Sequence, residues 1–160
     1  MTSERELLQS TLEAQREHVL GILEGLPEDA LQRSLLPTGW TCLGLVHHLA
    51  VDVERFWFRS IMANEPVELD ESENAWHVPR GMSADAVFDL YRLEIELANA
   101  VISATTLDTS TARWPEGWAN WRLEDLRAVM LHVITETATH AGHLDAVREL
   151  IDGRTWLTLT

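Results

Sequence analysis

Leu8, Leu12, Val19, Leu20, Ile22 and Leu23 recur mostly at intervals that set them on one face of a helix, with polar residues between them. Thr2 and Ser3 can cap this helix ahead of Glu4 and Glu6, whose charges suit the positive end of the helix dipole, and the pattern stops near Gly25. Pro27 to Ser34 reads as a short turn-like segment, and Leu36-Pro37-Thr38-Gly39 punctuates the chain again. A second run, with Leu45, Leu49, Val53, Phe56 and Trp57 as its apolar residues, predicts a helix capped by Thr41 and ending about Asn64. Glu65 to Met82 is acidic and holds two prolines, so it is expected to be an ordered loop. Ser83 can cap a third helix that carries Val87, Leu90, Tyr91, Leu97 and Val101 on its apolar side. A second loop, Thr105 to Trp121, contains Trp114, Trp118 and Trp121. Beyond it the last helix runs from about Leu123 to Asp152, with Gly153 as its stop signal.

No stretch alternates with a period of two, so no sheet is predicted. Four amphipathic helices joined by one short and two longer connections imply an all-α fold, an antiparallel four-helix bundle. At 160 residues the chain suits one domain, 1–160, with interior enough to need no staple.

Charge and cysteine content narrow the partners. The formal net charge is −14, the cations are arginines alone, and so phosphate backbones and anionic lipid surfaces are repelled: neither a nucleic-acid nor a membrane partner is expected. Cys42 is the one cysteine, which excludes an internal disulfide and fits a reducing compartment. The first residues lack the basic-then-apolar order of a secretory signal, and no apolar run nears the roughly 20 residues that span a bilayer. A cytoplasmic location follows by elimination.

Four polar residues interrupt the apolar face of the last helix: His132, Glu136, His140 and His143. At about 100° per residue they fall near 0°, 40°, 80° and 20°, a single stripe. Glu136 and His140, one turn apart, can converge on a point beside the helix, and a histidine with a carboxylate suits zinc, nickel or iron. A third ligand has to come from a neighbouring helix. His48 lies near the side marked by Leu45 and Leu49, whereas His47 is about 100° away, so His48 is the expected third ligand and Asp52 its rival or a fourth. A single core-facing histidine is usually a hydrogen-bonded packing residue. The combination is harder to dismiss, because an ionised Glu136 inside a bundle costs several kcal/mol unless it is paired.

The strings Gly39-Trp40-Thr41, Leu45-Val46-His47-His48-Leu49-Ala50, Glu54-Arg55-Phe56-Trp57, Leu131-His132-Val133-Ile134 and Glu136-Thr137-Ala138-Thr139-His140-Ala141-Gly142-His143 resemble the DinB-like superfamily. Within it they are most similar to the branch with a Glu-x-x-x-His-Ala-Gly-His helix, that of the metal-binding domain of mycothiol-dependent maleylpyruvate isomerase. The resemblance implies a four-helix bundle in which one residue of the second helix and two of the fourth hold a divalent metal. Position by position these are His48, Glu136 and His140. Many relatives have histidine at the position of Glu136 and glutamine at that of His143; the first departure keeps a ligand, and the second leaves the role of His143 open.

Three protein ligands leave a coordination position for water or substrate, as catalytic sites do. The resemblance favours a thiol-dependent transferase or isomerase, in which the metal activates a small thiol cofactor, mycothiol among the choices, against an electrophilic substrate; zinc or nickel is expected first and iron next. Asp52, His132 and His143 are expected as helpers or alternative ligands. The contrasting expectation is a non-catalytic metal-binding or stress-associated module, and in either case a homodimer. The pocket is expected at the helix ends, walled by the tryptophan-rich loop. Arg80, Arg113 and Arg122 are the cations an anionic substrate would use there, although such arginines are mostly solvated surface groups. Trp40, Trp57 and Trp121 are expected to pack cores and junctions rather than form a stacking platform. Cys42 is expected to be a small buried residue.

Overall fold

The computed structural model describes residues 2–68, 75–118 and 120–156. The first residue, the stretch 69–74 of the acidic loop, residue 119 of the tryptophan loop and the last four residues of the expected 1–160 domain lie outside the described residues. The chain is all-helical. Helix α1 spans Glu4–Leu23, a single turn α2 spans Glu28–Leu31, α3 spans Cys42–His48, α4 spans Ala84–Ala104 and α5 spans Leu126–Asp152. Among the described residues there is no strand, only one isolated bridge between Ser110 and Asp125.

The local signals act where the sequence places them. Ser3 and Glu6 form a reciprocal capping box at the start of α1, and the Thr41 and Ser83 side chains accept from the backbone N–H of Gly44 and Ala86. Gly153 ends α5 in the left-handed conformation, at φ 77°, where a Cβ would be strained. The start of α5 is shifted: Asp125, not a residue before Leu123, caps it by accepting from Ala128 N–H. Residues 123–125 are held instead by the preceding loop, through Thr111 N–H to Glu124 O and Leu126 N–H to Thr109 O.

The predicted second helix is one continuous element with a change of winding. After His48 the chain continues as a π-helix over Leu49–Met62, and Ala63 N–H closes its end on Phe58 O five residues back. Such windings are rare, occur mostly as single turns and gather at functional sites. Here the change begins at the residue after His48.

Helix α1 packs along α5, and α4 packs along the π segment. Leu12, Val19, Ile22, Leu45, Leu49, Phe58, Tyr91, Ile102, Val129 and Leu144 are fully buried and belong to one continuous core. Each large aliphatic among them contributes about 1.5–3 kcal/mol. A polar layer crosses this core. Arg16 of α1 donates from Nε and Nη2 to both oxygens of Glu54, at 2.8 and 2.7 Å, and from Nη1 to Asn99 Oδ1 at 2.8 Å. Glu94, also buried, accepts from Arg55 and Arg59.

Candidate metal centre

His48 is the last α-helical residue before the winding widens, and its side chain is buried. Asp52 approaches from one turn on: its Oδ2 lies 2.9 Å from His48 Nδ1. A carboxylate only accepts, so in the neutral ring Nδ1 donates and Nε2 keeps its lone pair. That Nε2 faces Glu136 Oε1 of α5 across 3.9 Å. One donor atom each from His48, Glu136 and His140 lie within 4.8 Å of one another. Donors about 2.0–2.1 Å from a tetrahedral ion are roughly 3.4 Å apart, so small side-chain rotations close the set.

The two α5 members differ in what surrounds them. His132 Nε2 stands 3.0 Å from Glu136 Oε2, and this neighbour, more than the opposing effect of burial, holds the Glu136 carboxyl below its usual range. That contact is close but not aligned as a hydrogen bond, and His132 Nε2 is otherwise without a partner among the described residues. His140 loses proton affinity through burial first and the nearby His48 second, which brings it down to about 4. At neutral pH the pair is therefore a carboxylate and an uncharged imidazole, the forms a divalent cation binds. Nitrogen and oxygen donors of this kind fit zinc, nickel or iron.

A strap from the acidic loop covers one side. Ala75 O lies 2.7 Å from His47 Nδ1, and the carbonyl of Trp76 rests where a side chain at position 44 would have to stand, so Gly44 is what lets the strap touch α3. The Trp76 ring then stacks on His48, with centroids 4.3 Å apart and planes 16° from parallel, and meets His140 edge-on at 5.3 Å. His47, expected to point away from the core, is buried because the strap lies over it. Neither Trp76 nor Gly44 was singled out from sequence; a glycine one turn before the histidine pair was the available sign.

Of the remaining expected residues, Asp52 reaches the donor cluster only through His48 Nδ1, and His143 is exposed with its Nδ1 3.4 Å from His140 Nδ1. Arg80, Arg113 and Arg122 are exposed and none lines the cleft that reaches Glu136. Trp57 is buried as expected, but Trp121 is 45% exposed and lines that cleft. Cys42 is buried, and burial pushes its thiol up to about 11, so it is not the thiolate of any reaction at neutral pH.

One cleft reaches the centre, and a second lies near it behind Trp76. The first, of about 470 Å³, runs between Phe56, Trp118 and Trp121 down to His48 and Glu136. The second, of about 590 Å³, lies on the far side of Trp76 beside Trp40 and His143. Fold and site together define an all-helical protein with a two-histidine, one-carboxylate constellation shared between two helices and open to solvent on one flank. The mycothiol-S-transferase family matches residues 7–153, and the chain belongs to that family, a DinB-like one. No curated protein and no solved structure matches the chain. No helix among the described residues is long and apolar enough to cross a membrane.

Proposed function

We propose that this chain is a metal-dependent thiol S-transferase, in which His48, Glu136 and His140 hold one divalent ion, zinc or nickel, beside a cleft that admits a small thiol and an electrophile. The observation that carries this reading is the convergence of three unlike donors from two helices within 4.8 Å. Membership in the mycothiol-S-transferase family supports a low-molecular-weight thiol of the mycothiol class as co-substrate. So does the state of Cys42: the chain's one cysteine is buried with a raised pKa, and the reacting sulfur has to arrive from outside.

A bound divalent ion would supply one thing, the preference for sulfur as thiolate at neutral pH. The residues do the rest. Asp52 holds the His48 ring through Nδ1, so that Nε2 points at the centre. His132 Nε2, 3.0 Å from Glu136 Oε2, keeps that side chain a carboxylate and ready to ligate, and the thiol proton leaves to solvent through the open cleft. Transfer then forms one sulfur–carbon bond while the carbon–leaving-group bond breaks, with its electron pair going to the leaving group. The cleft that opens onto His48 and Glu136 favours this reading over that of a non-catalytic metal module, for which a closed, fully ligated site would be expected. The same reading treats the chain as one antiparallel four-helix bundle domain, paired as a homodimer.

His48→Ala and His140→Ala are each expected to abolish retention of the metal, measured by elemental analysis, with helical content by circular dichroism unchanged. Full metal stoichiometry in either variant would overturn the ligand set. The cobalt-substituted protein is expected to gain a thiolate-to-metal absorption band on addition of a cellular thiol; silence with every thiol would overturn the transferase reading.

A further inference from the structure

Adjacent residues of a helix point about 100° apart, so His47 and His48 cannot serve one point. His48 faces the donor cluster. His47 is buried nonetheless, and its Nδ1–H donates to Ala75 O at 2.7 Å, across 28 positions of chain. That bond ties the strap to α3 one residue before Trp76. Three positions ahead of His47, Gly44 gives the strap its seat, because a Cβ there would run into Trp76 O. Two residues of α3 thus fix where Trp76 stands, one by a hydrogen bond and the other by having no side chain.

From that seat Trp76, half-buried against the core, meets two of the three candidate ligands, which belong to different helices. Its ring lies on the face of His48, with centroids 4.3 Å apart and planes 16° from parallel, and meets His140 at 5.3 Å with planes 70° apart. Asp52 holds the His48 ring at a single atom, Nδ1, 2.9 Å away. A ring held at one atom can still tilt about that bond. A flat neighbour packed on its face removes the tilt. The hydrogen bond and the stack together leave Nε2 one orientation, toward Glu136.

We infer that Trp76 is a positioning residue of the metal centre, holding the His48 ring in its ligating plane, and that His47 and Gly44 serve to seat it there. The inference rests on the metal reading for the word ligating, but one arm of its test uses metal-free protein. The full chain and its variants are compared in zinc affinity, by competition with a chelator, and in the NMR shifts of the His48 ring without metal. Trp76→Ala is expected to lose about 10- to 100-fold in zinc affinity, the range found for groups that orient a ligand. Trp76→Phe keeps a flat face and is expected to lose less than about 10-fold. Gly44→Ala displaces the strap and is expected to lose at least ~3-fold, although alanine is the better helix former, so that a weakened helix cannot be the cause. His47→Ala is expected to resemble it, and His47→Asn, whose amide N–H stands near the place of Nδ1–H, to recover most of the loss. In metal-free protein the Trp76 face is expected to move the His48 ring protons upfield by a few tenths of a part per million relative to Trp76→Ala, and Gly44→Ala is expected to remove that shift. Zinc affinity within about 2-fold of the unaltered chain in both Trp76→Ala and Gly44→Ala would overturn the inference, as would a loss as large in Trp76→Phe as in Trp76→Ala. Should Trp76→Ala lose helical content, Gly44→Ala and Trp76→Phe still decide. An unaltered chain that holds no zinc would fail the metal reading alone, and the NMR arm then decides the clamp: His48 shifts that are the same with and without the Trp76 ring would overturn it.

Discussion

Two places in this molecule bring ionisable groups together between helices, and they are built on opposite plans. The Arg16–Glu54 pair closes on itself: both guanidinium edges that face the carboxylate are used, the third nitrogen goes to Asn99, and the two side chains are 2% and 1% exposed. The His48–Glu136–His140 cluster stays open. Its donor atoms face one another with no hydrogen bond among them short enough to close the set, and the His48 and Glu136 side chains are 11% and 29% exposed. The first arrangement holds helices in register. The second has donors left over, and spare donors beside a cleft are what a bound ion or substrate would use.

The largest effect that would break this contrast is in the closed pair. Burial pushes the Glu54 carboxyl up and Arg16 pulls it back down, so the charge is held there by its partner. Glu54→Ala, which strands Arg16 in the core, is expected to cost about 3–5 kcal/mol in chemical denaturation. Replacing both residues, Arg16→Met with Glu54→Leu, is expected to cost less than that single change, because no lone charge is left behind. If the single variant loses under ~1 kcal/mol, the pair is not the closed element described. His140→Ala, by contrast, removes a group from the open cluster and leaves no buried charge unpaired.

A smaller effect sharpens the open side. Asp52 touches the cluster only through His48 Nδ1, 2.9 Å away. Asp52→Asn keeps the shape but weakens the acceptor, and such partners typically count for about 10- to 100-fold in metal affinity. Competition with a chelator would measure it. A loss as large as that from His48→Ala would mean that Asp52 is itself a ligand, and no loss at all would mean that the ring is oriented by the Trp76 stack alone.

How far each region could be read in advance follows from the range of the interactions that build it. Ser3, Thr41, Ser83 and Gly153 are short-range signals, so the helices and most of their ends were legible. The stripe on α5 was legible for the same reason, as helical spacing alone sets Glu136 beside His140. Arg16 and Glu54 were not: 38 residues separate them, and as isolated residue types both belong on a surface. The stacking of Trp76 on His48 depends on a glycine in α3 meeting a loop 32 positions later, which no periodicity reports. The widening of the second helix after His48 was invisible too, because the apolar spacing of Leu49, Val53 and Trp57 fits an ordinary helix equally well.

The smallest effect separates the regions by pH. His140 is held down to about 4, first by burial and then by His48, whereas a histidine in the unfolded chain titrates near 6.5. Between those two values the unfolded chain takes up a proton that the folded, metal-free protein refuses. Stability therefore falls as pH drops through the window from about 6.5 to about 4, the whole effect is present below about 4, and His140 contributes no pH dependence above about 6.5. An NMR titration of the ring in metal-free protein is expected to show a midpoint near 4, and His140→Gln is expected to flatten the slope of stability against pH in that window. A midpoint near 6.5 would mean that the ring is hydrated and free of its neighbours, and the open cluster would then be no more organised than a histidine stripe on a surface. A midpoint near 4 leaves an imidazole that stays uncharged across the physiological range, able to serve as a ligand without first losing a proton.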